Sequence, residues 1–475
     1  MRKTETNQTE NRKKISRQNG SDRLFNRREF LLAAGIGMGL PHLIGTVYSA
    51  EKNLPESVPL LKGSRKSVSI LTHEFRGDIE ERIDLPAAWE VNVMKMAGHG
   101  APKLSSDQIL ERLRNPVGTR PLRELAAGKK TAMITFDDLT RPTPISEVAQ
   151  LVVSELESAG IAKENIFFLG SVGAHRTLEG EEVAKKLGSR IAQEYKWFNH
   201  NVFVNLKDVG ETSYKNRVLI NEMFMDADLR VTISGVKVHS IAGYGGGSKA
   251  VLPGVAALST IQMNHKEIAN NNKSVGEARI FRNDVKLDMN EAAKLAKVDF
   301  SVQIVYNEKR ELCRIVAGDI IDAHIAASRE ANKLHRTPTL RNADIVIANA
   351  YPQVSQGTKA QAWINRSVRD DGTAVLILQH PDGLMGYHYL FPPTMKGGDP
   401  LAILTPSSGK KQRFQLIVYS QYAQRREFSS FTPGTKFAHT WEDVVSILQS
   451  RHKGDSRVAI YPYATLQHAE TDLDG

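Results

Sequence analysis

The chain has 475 residues, 41% hydrophobic and 24% charged, with 35 Gly and 19 Pro, which excludes a disordered chain, a collagen-like repeat and a disulfide-stapled miniprotein. Its one cysteine, Cys313, leaves no internal disulfide and no thiolate cage for zinc or an iron–sulfur cluster. The formal charge of +10 raises nucleic acid or a membrane surface as a partner, and where that charge sits decides the matter.

Residues 1–50 carry nine basic and four acidic side chains, so half of the net charge lies there. The basic excess runs up to Asn26-Arg27-Arg28-Glu29-Phe30-Leu31-Leu32, an apolar stretch follows from Leu31 to Ile44, and small residues surround Ser49-Ala50. This is the pattern of a twin-arginine export signal, and it predicts a periplasmic or otherwise exported protein that meets the twin-arginine translocase. The apolar run is short for a bilayer and is interrupted by Pro41, so no stable membrane insertion is expected. With the remaining +5 spread over 425 residues, nucleic-acid binding is not expected either.

Residues 51–125 read as a lead-in with one strand, Ser67–Thr72, and loops punctuated by proline. Beyond it, strand-like apolar runs alternate with amphipathic stretches, the signature of a mainly parallel α/β sheet. Strands are predicted at Lys130–Phe136, Asn165–Leu169, Leu229–Ser234 and Phe300–Tyr306, with helices at Ile145–Ala159 and Leu178–Leu187. A second set follows Pro338: a strand Ala343–Ala350, a helix Thr358–Val368, and strands Thr373–Gln379, Gln415–Ser420 and Arg457–Pro462. The expected architecture is two Rossmann-like α/β domains, 51–330 and 338–455, with an active-site cleft between them. Residues 456–475 supply a last strand that can return to the first domain.

Ligands of open parallel sheets bind beyond the carboxyl ends of strands. Three strands here end in unusual polar sequences: Asp137-Asp138-Leu139-Thr140-Arg141-Pro142, Gly170-Ser171-Val172-Gly173-Ala174-His175-Arg176, and Gly235-Val236-Lys237-Val238-His239 running on to Gly245-Gly246-Gly247-Ser248-Lys249. Singly each has a bland explanation: an aspartate caps a helix, a histidine sits in a loop, and the glycine-rich loop lacks P-loop spacing. Together they place titratable groups at one sheet edge. Lys249 follows the glycines as a phosphate-binding charge or an amine nucleophile, and Asn264-His265 lies sixteen residues further on. No His-x-x-x-His or Cys-x-x-Cys pair is present, so a metal on His265 needs donors from elsewhere, for instance from a cofactor.

Asp138-Leu139-Thr140-Arg141-Pro142, Gly173-Ala174-His175-Arg176, His239 through His265 with its Gly-Gly-x-Lys loop and Leu252-Pro253-Gly254 turn, and Gln356-Gly357-Thr358-Lys359 together resemble the nickel-pincer lactate racemase family of 2-hydroxyacid racemases and epimerases. The resemblance covers most of the chain from about residue 60. It implies a nickel ion in a pyridinium-3,5-bisthiocarboxylic acid mononucleotide tethered to Lys249, with His265 as the protein's nickel ligand. It further implies that Asp138, Leu139, Thr140 and Arg141 lie against the cofactor, that His175 and His239 are the acid/base pair, and that Arg141, Gln356 and Lys359 hold the substrate. Cytoplasmic cofactor-synthesis proteins are implied partners. Gly245 and Ala250 stand where serine is more usual in lactate-specific members, and Ser355 where an aromatic residue is expected. These departures bear on which 2-hydroxyacid is taken. A two-domain periplasmic binding protein for an anionic small molecule explains the export signal and the cleft but not the spacing of Lys249 and the histidines. A nicotinamide dehydrogenase lacks its Gly-x-Gly-x-x-Gly.

Overall fold

The computed structural model describes residues 65–270, 272–381, 413–422, 431, 433–471 and 473. Residues 1–50, where the sequence predicts an export signal, and the start of the lead-in lie outside them. Among the described residues no helix is long and apolar enough to cross a membrane.

Two six-stranded sheets dominate. In the first, the strand order is Leu312–Gly318, Phe300–Tyr306, Leu229–Gly235, Ala132–Phe136, Ile166–Gly170 and Lys196–Asn199, parallel throughout except for the antiparallel Leu312–Gly318 edge. Its central strands are buried on both faces, which is why Ala132–Phe136 and Phe300–Tyr306 read as continuous apolar runs rather than alternating ones. The helix Ser146–Ser158 buries Val148, Ala149, Val152, Val153 and Leu156, one stripe at helical spacing, against this sheet. Asp322–His335 covers the Leu312–Gly318 edge.

The second sheet is parallel throughout, in the order Lys436–Ala438, Gln415–Tyr419, Val368–Ile377, Ala343–Asn349, Arg457–Tyr461 and Glu90–Val93. The expected α/β class with mainly parallel sheets is therefore present. The chain distributes itself differently from the sequence expectation in three respects. Arg457–Tyr461 does not return to the first sheet: its apolar run Val-Ala-Ile-Tyr fills a slot buried on both faces between Ala343–Asn349 and Glu90–Val93. What runs back is the segment after it, where Thr465 O accepts from Lys237 Nζ and His468 pairs with Arg336. The lead-in strand Glu90–Val93 closes the second sheet, and the antiparallel hairpin Arg65–Thr72 with Ile79–Pro86 packs Ile70, Ile83 and Leu85 on that sheet's core. Finally, Asp322–His335 runs unbroken past residue 330, so the passage between sheets falls just after it, at Arg336–Thr337 and beyond.

One hydrophobic cluster spans both sheets, from Ile134, Phe168 and Val231 to Val346, Leu376 and Tyr461, and residues 61–475 form one compact unit. Each sheet reverses its strand order once. In the first sheet the chain steps from Ala132–Phe136 toward Lys196–Asn199 on one side and adds Leu229–Gly235 on the other; in the second it steps outward from Ala343–Asn349 in the same manner. Such reversals open a crevice beyond the strand ends. The two crevices meet: Gln353 Nε2, after Ala343–Asn349, donates to Thr140 O at 2.6 Å.

Candidate active site

The site grows from the buried strand Ala132–Phe136, which delivers Asp137 and Asp138 to the first crevice. Asp137 Oδ2 accepts from Thr143 Oγ1 at 2.7 Å and from the Gly235 amide at 3.0 Å, stapling two neighbouring strand ends together. No side chain fits at Gly235, since a Cβ there would lie 2.1 Å from Thr143 Oγ1. Asp138 is 4% exposed and faces the other way. Its Oδ1 accepts from the Thr140 amide at 2.7 Å and the Thr140 hydroxyl at 2.5 Å, while Oδ2 lies 2.6 Å from His175 Nδ1. Burial alone would raise this carboxyl, but the His175 ring, Arg141 and the Thr140 hydroxyl outweigh it and hold Asp138 well below the usual carboxylate range. The carboxylate is thus an acceptor, His175 Nδ1 is its donor, and proton exchange at His175 is left to Nε2. Gly173, at φ +53°, turns the loop that brings His175 here, and its amide donates to Gly254 O at 2.9 Å.

Arg141 Nη1 donates to Thr140 O and Oγ1, and at 3.4 Å to Gln356 Oε1 from the second crevice. Gln356 Oε1 also receives Lys359 Nζ at 2.5 Å and Gln353 Nε2 at 3.0 Å. Leu139 packs on the first core. Direct hydrogen bonds therefore join six of the sequence-predicted residues, Asp138, Thr140, Arg141, His175, Gln356 and Lys359, across the two sheets.

His239, on the two-residue ribbon Val238–His239, accepts at Nδ1 from the amides of Ile241 and Ala242, both at 3.2 Å. Desolvation and the charges of Lys249, Lys359, Arg141 and His265 push it well below the ordinary imidazole value. Lys249 occupies a short 3-10 turn, Gly247–Ala250, and is 8% exposed. Its Nζ makes no hydrogen bond or ion pair among the described residues. Burial first, then Arg141 and Lys286, push the amine well below the ordinary lysine value, toward its nucleophilic neutral form. The preceding glycines are needed for their backbone: Gly246 and Gly247 have φ of +77° and +58°, and a Cβ on Gly247 would lie 2.5 Å from the His324 ring.

His265 sits in a π-helical turn, Met263–Ile268, anchored from beneath by Asn264. Asn264 Nδ2 donates to Asp288 Oδ2 at 2.7 Å and to Val285 O at 3.0 Å, and Asp288 is completed by Thr212 Oγ1 and Asn216 Nδ2. Single π turns inside helices often mark functional positions. Among the described residues no three His, Cys, Asp or Glu side chains gather as a metal cluster. Cys313 is buried with its thiol pushed up to about 12, chiefly by desolvation, and donates to Val305 O.

Four residues of this neighbourhood were not singled out for a role from the sequence. Lys186, 1% exposed, donates to Arg141 O and Thr143 O and fixes the Asp-Leu-Thr-Arg loop. A lysine between Val183 and Leu187 on the buried stripe of Gly180–Leu187 was the available signal. Gln353 bridges the crevices, Lys237 reaches Thr465 O, and Glu74 accepts from the Val354 amide at 2.7 Å. Glu74 sits in a turn where His73, Phe75 and Asp78 all have positive φ, a conformation that sequence pattern does not announce.

The site is a strand-end crevice with a His–Asp dyad, a buried neutral-leaning lysine and a surplus of cations suited to a small anionic substrate. Residues 77–276 match the lactate racemase N-terminal domain family. The chain is 30% identical over 302 residues to a lactate racemase of Lactiplantibacillus plantarum, covering 61% of this chain and 70% of that one. It is 28% identical over 295 residues to a lactate racemase of Thermoanaerobacterium thermosaccharolyticum, covering 60% and 69%. The lactate racemase apoprotein structure from T. thermosaccharolyticum superposes with a TM-score of 0.69 at 22% identity, covering 85% of this chain and all of that one. The chain belongs to the lactate racemase family, and is an isomerase of the racemase type.

Proposed function

We propose that the protein inverts the hydroxyl-bearing carbon of a 2-hydroxyacid with a nickel-pincer nucleotide held covalently on Lys249. The observation that carries this reading is the Lys249 amine, buried and without a hydrogen-bond partner among the described residues, at the end of a glycine turn. The residues fit the group. A neutral-leaning amine can be acylated, Arg141 and the turn's amides suit a phosphate, and His265 offers one soft-enough nitrogen. The remaining metal donors are then the group's own sulfurs. When bound, the group supplies a hydride acceptor, which avoids removing a very weakly acidic C–H proton.

The chain's own residues do the rest. Arg141, Gln356 and Lys359 bind and orient the substrate carboxylate, Asp138 and Thr140 fix His175, and His175 and His239 together serve the substrate oxygen as its acid/base groups. Contact between the two crevices excludes water from the keto intermediate. Cofactor-synthesis proteins load the chain in the cytoplasm, and the twin-arginine signal carries the folded product to the periplasm.

Protein made with the cofactor pathway should carry one mass adduct and one nickel, both absent in Lys249→Ala. A substrate deuterated at the hydroxyl carbon should retain its deuterium through racemisation in ordinary water. Unmodified, nickel-free protein that binds a small anion without turnover would replace this reading with that of a periplasmic binding protein. Replacing Arg27 and Arg28 by lysine should leave the protein in the cytoplasmic fraction; unchanged export would remove the twin-arginine assignment.

A further inference from the structure

We propose that the turn 73–78 is a brace that sets the spacing between the two halves of the carboxylate clamp. Glu74 and Phe75 are its positioning residues, acting on Gln356 and Lys359 from one side and on Arg141 from the other. The inference rests on the reading above, in which those three side chains hold the substrate carboxylate.

The turn joins the strands Arg65–Thr72 and Ile79–Pro86, so its chain belongs to the hairpin packed on the second sheet. Its side chains reach further. Glu74 Oε2 accepts from the Val354 amide at 2.7 Å, at the start of the 3-10 segment Val354–Ala360 that carries Gln356 and Lys359. The Phe75 ring meets two cations, with Arg310 Cζ 4.2 Å and Lys186 Nζ 5.7 Å from its centroid. That same Lys186 amine donates to Arg141 O at 2.9 Å and to Thr143 O at 3.1 Å, and so holds the segment from which Arg141 projects. Asp78 ties the sheets to each other. Its carboxylate accepts from Arg310, between Phe300–Tyr306 and Leu312–Gly318, and from Tyr351 Oη at 3.0 Å, just beyond Ala343–Asn349.

Two neighbouring residues thus touch the supports of opposite halves of the clamp, and a third closes the bridge between the sheets. The backbone is held in an unfavourable form to do this. His73, Phe75 and Asp78 have φ of 60°, 58° and 45°, values that residues other than glycine keep only where surrounding contacts over-determine them. The clamp halves meet at one atom, Gln356 Oε1, which accepts from Lys359 Nζ at 2.5 Å and from Arg141 Nη1 at 3.4 Å. A substrate carboxylate gripped from both sheets needs that spacing fixed, since a misplacement of about 1 Å can cost about 10²-fold.

The test reads variants in cofactor-loaded enzyme and in apoprotein. Lactate, malate, phenyllactate and gluconate are offered to the loaded wild type, and the acid racemised fastest is used for the kinetics. Glu74→Ala and Phe75→Leu should each raise KM roughly 10-fold with kcat nearly unchanged, the pattern of binding lost equally from ground and transition states. Glu74→Gln keeps an acceptor for the Val354 amide and Phe75→Tyr keeps the ring, so both should restore the wild-type KM. The double variant Glu74→Ala/Phe75→Leu should raise KM by clearly less than the roughly 100-fold product of the single effects, because both loosen one spacing. Effects that multiply, an unchanged KM, or a loss confined to kcat would overturn the brace. In nickel-free apoprotein, Phe75→Leu should speed hydrogen exchange of the amides in 354–359 by about 10-fold, although its ring packs on Lys186 and Arg310. Exchange altered only around those two cations would overturn it as well. If the loaded wild type racemises none of the four acids, the functional reading falls, and the exchange result alone decides whether the turn couples the sheets.

Discussion

The His175–Asp138 dyad makes a prediction that runs against size and polarity. Asp138→Asn is nearly isosteric, yet it should be far more damaging than Asp138→Ala. The Thr140 amide and hydroxyl both donate to Oδ1, at 2.7 and 2.5 Å, so the carbonyl oxygen of an asparagine must take that place. Its NH2 then falls where Oδ2 stood, 2.6 Å from His175 Nδ1. Two donors cannot face each other at that distance, so the imidazole moves its proton to Nε2 and stops being a base. A base held in the wrong tautomer costs about 10⁴ in rate. Alanine only deletes the partner: a hydrogen bond to a charged group contributes about 1.5–3 kcal/mol. At about 1.4 kcal/mol per decade, that is a rate about 10- to 150-fold lower. The assay is racemisation of the preferred 2-hydroxyacid by chiral chromatography on equally nickel-loaded proteins, with a thermal melt to verify folding. An asparagine variant as active as the alanine variant would refute the dyad.

Glu74 is raised from its ordinary value of 4.5 to about 8, first by burial, with Arg310 and the Val354 amide opposing. Between those values the folded protein holds a proton that the unfolded chain has released, so this group's contribution to stability falls as pH rises and is level above about 8. Glu74→Gln should therefore gain on wild type by on the order of 3 kcal/mol between pH 5 and 8 in urea unfolding, and parallel profiles would contradict the assignment. Asp288→Ala strands the buried donors of Thr212, Asn216 and Asn264, and should cost roughly 3 kcal/mol or more and loosen the nickel proposed for His265. Unchanged stability and nickel content would show that Asp288 does not position the π turn.

The parts of the fold visible in the sequence were those governed by local pattern. Phe300–Tyr306 and Ala343–Asn349 announce themselves because strands buried on both faces are unbroken apolar runs. The strand-end motifs were visible for the same reason, since each breaks such a run with titratable residues. Asp322–His335 was not legible because its buried face carries His324, Ser328, Asn332 and His335, which blur the apolar period. Glu90–Val93 is four residues long with a polar outer edge, and its membership in the second sheet depends on a partner far away in the chain. The two amides that donate to His239 Nδ1 were invisible in principle: their direction is set by the ribbon with Gly243–Tyr244, not by any side chain.

That edge strand has a consequence for how the molecule is made. Asn92 and Val458, which share a hydrogen bond, stand 366 positions apart. The second sheet therefore cannot acquire its Arg457–Tyr461 strand, or the Glu90–Val93 strand beside it, until almost the whole chain has left the ribosome. Glu90–Val93 must wait for its partner through nearly all of synthesis, so closure is a late and slow event of high contact order. Truncated chains lacking the last twenty residues should lose the edge at the far end of the sequence.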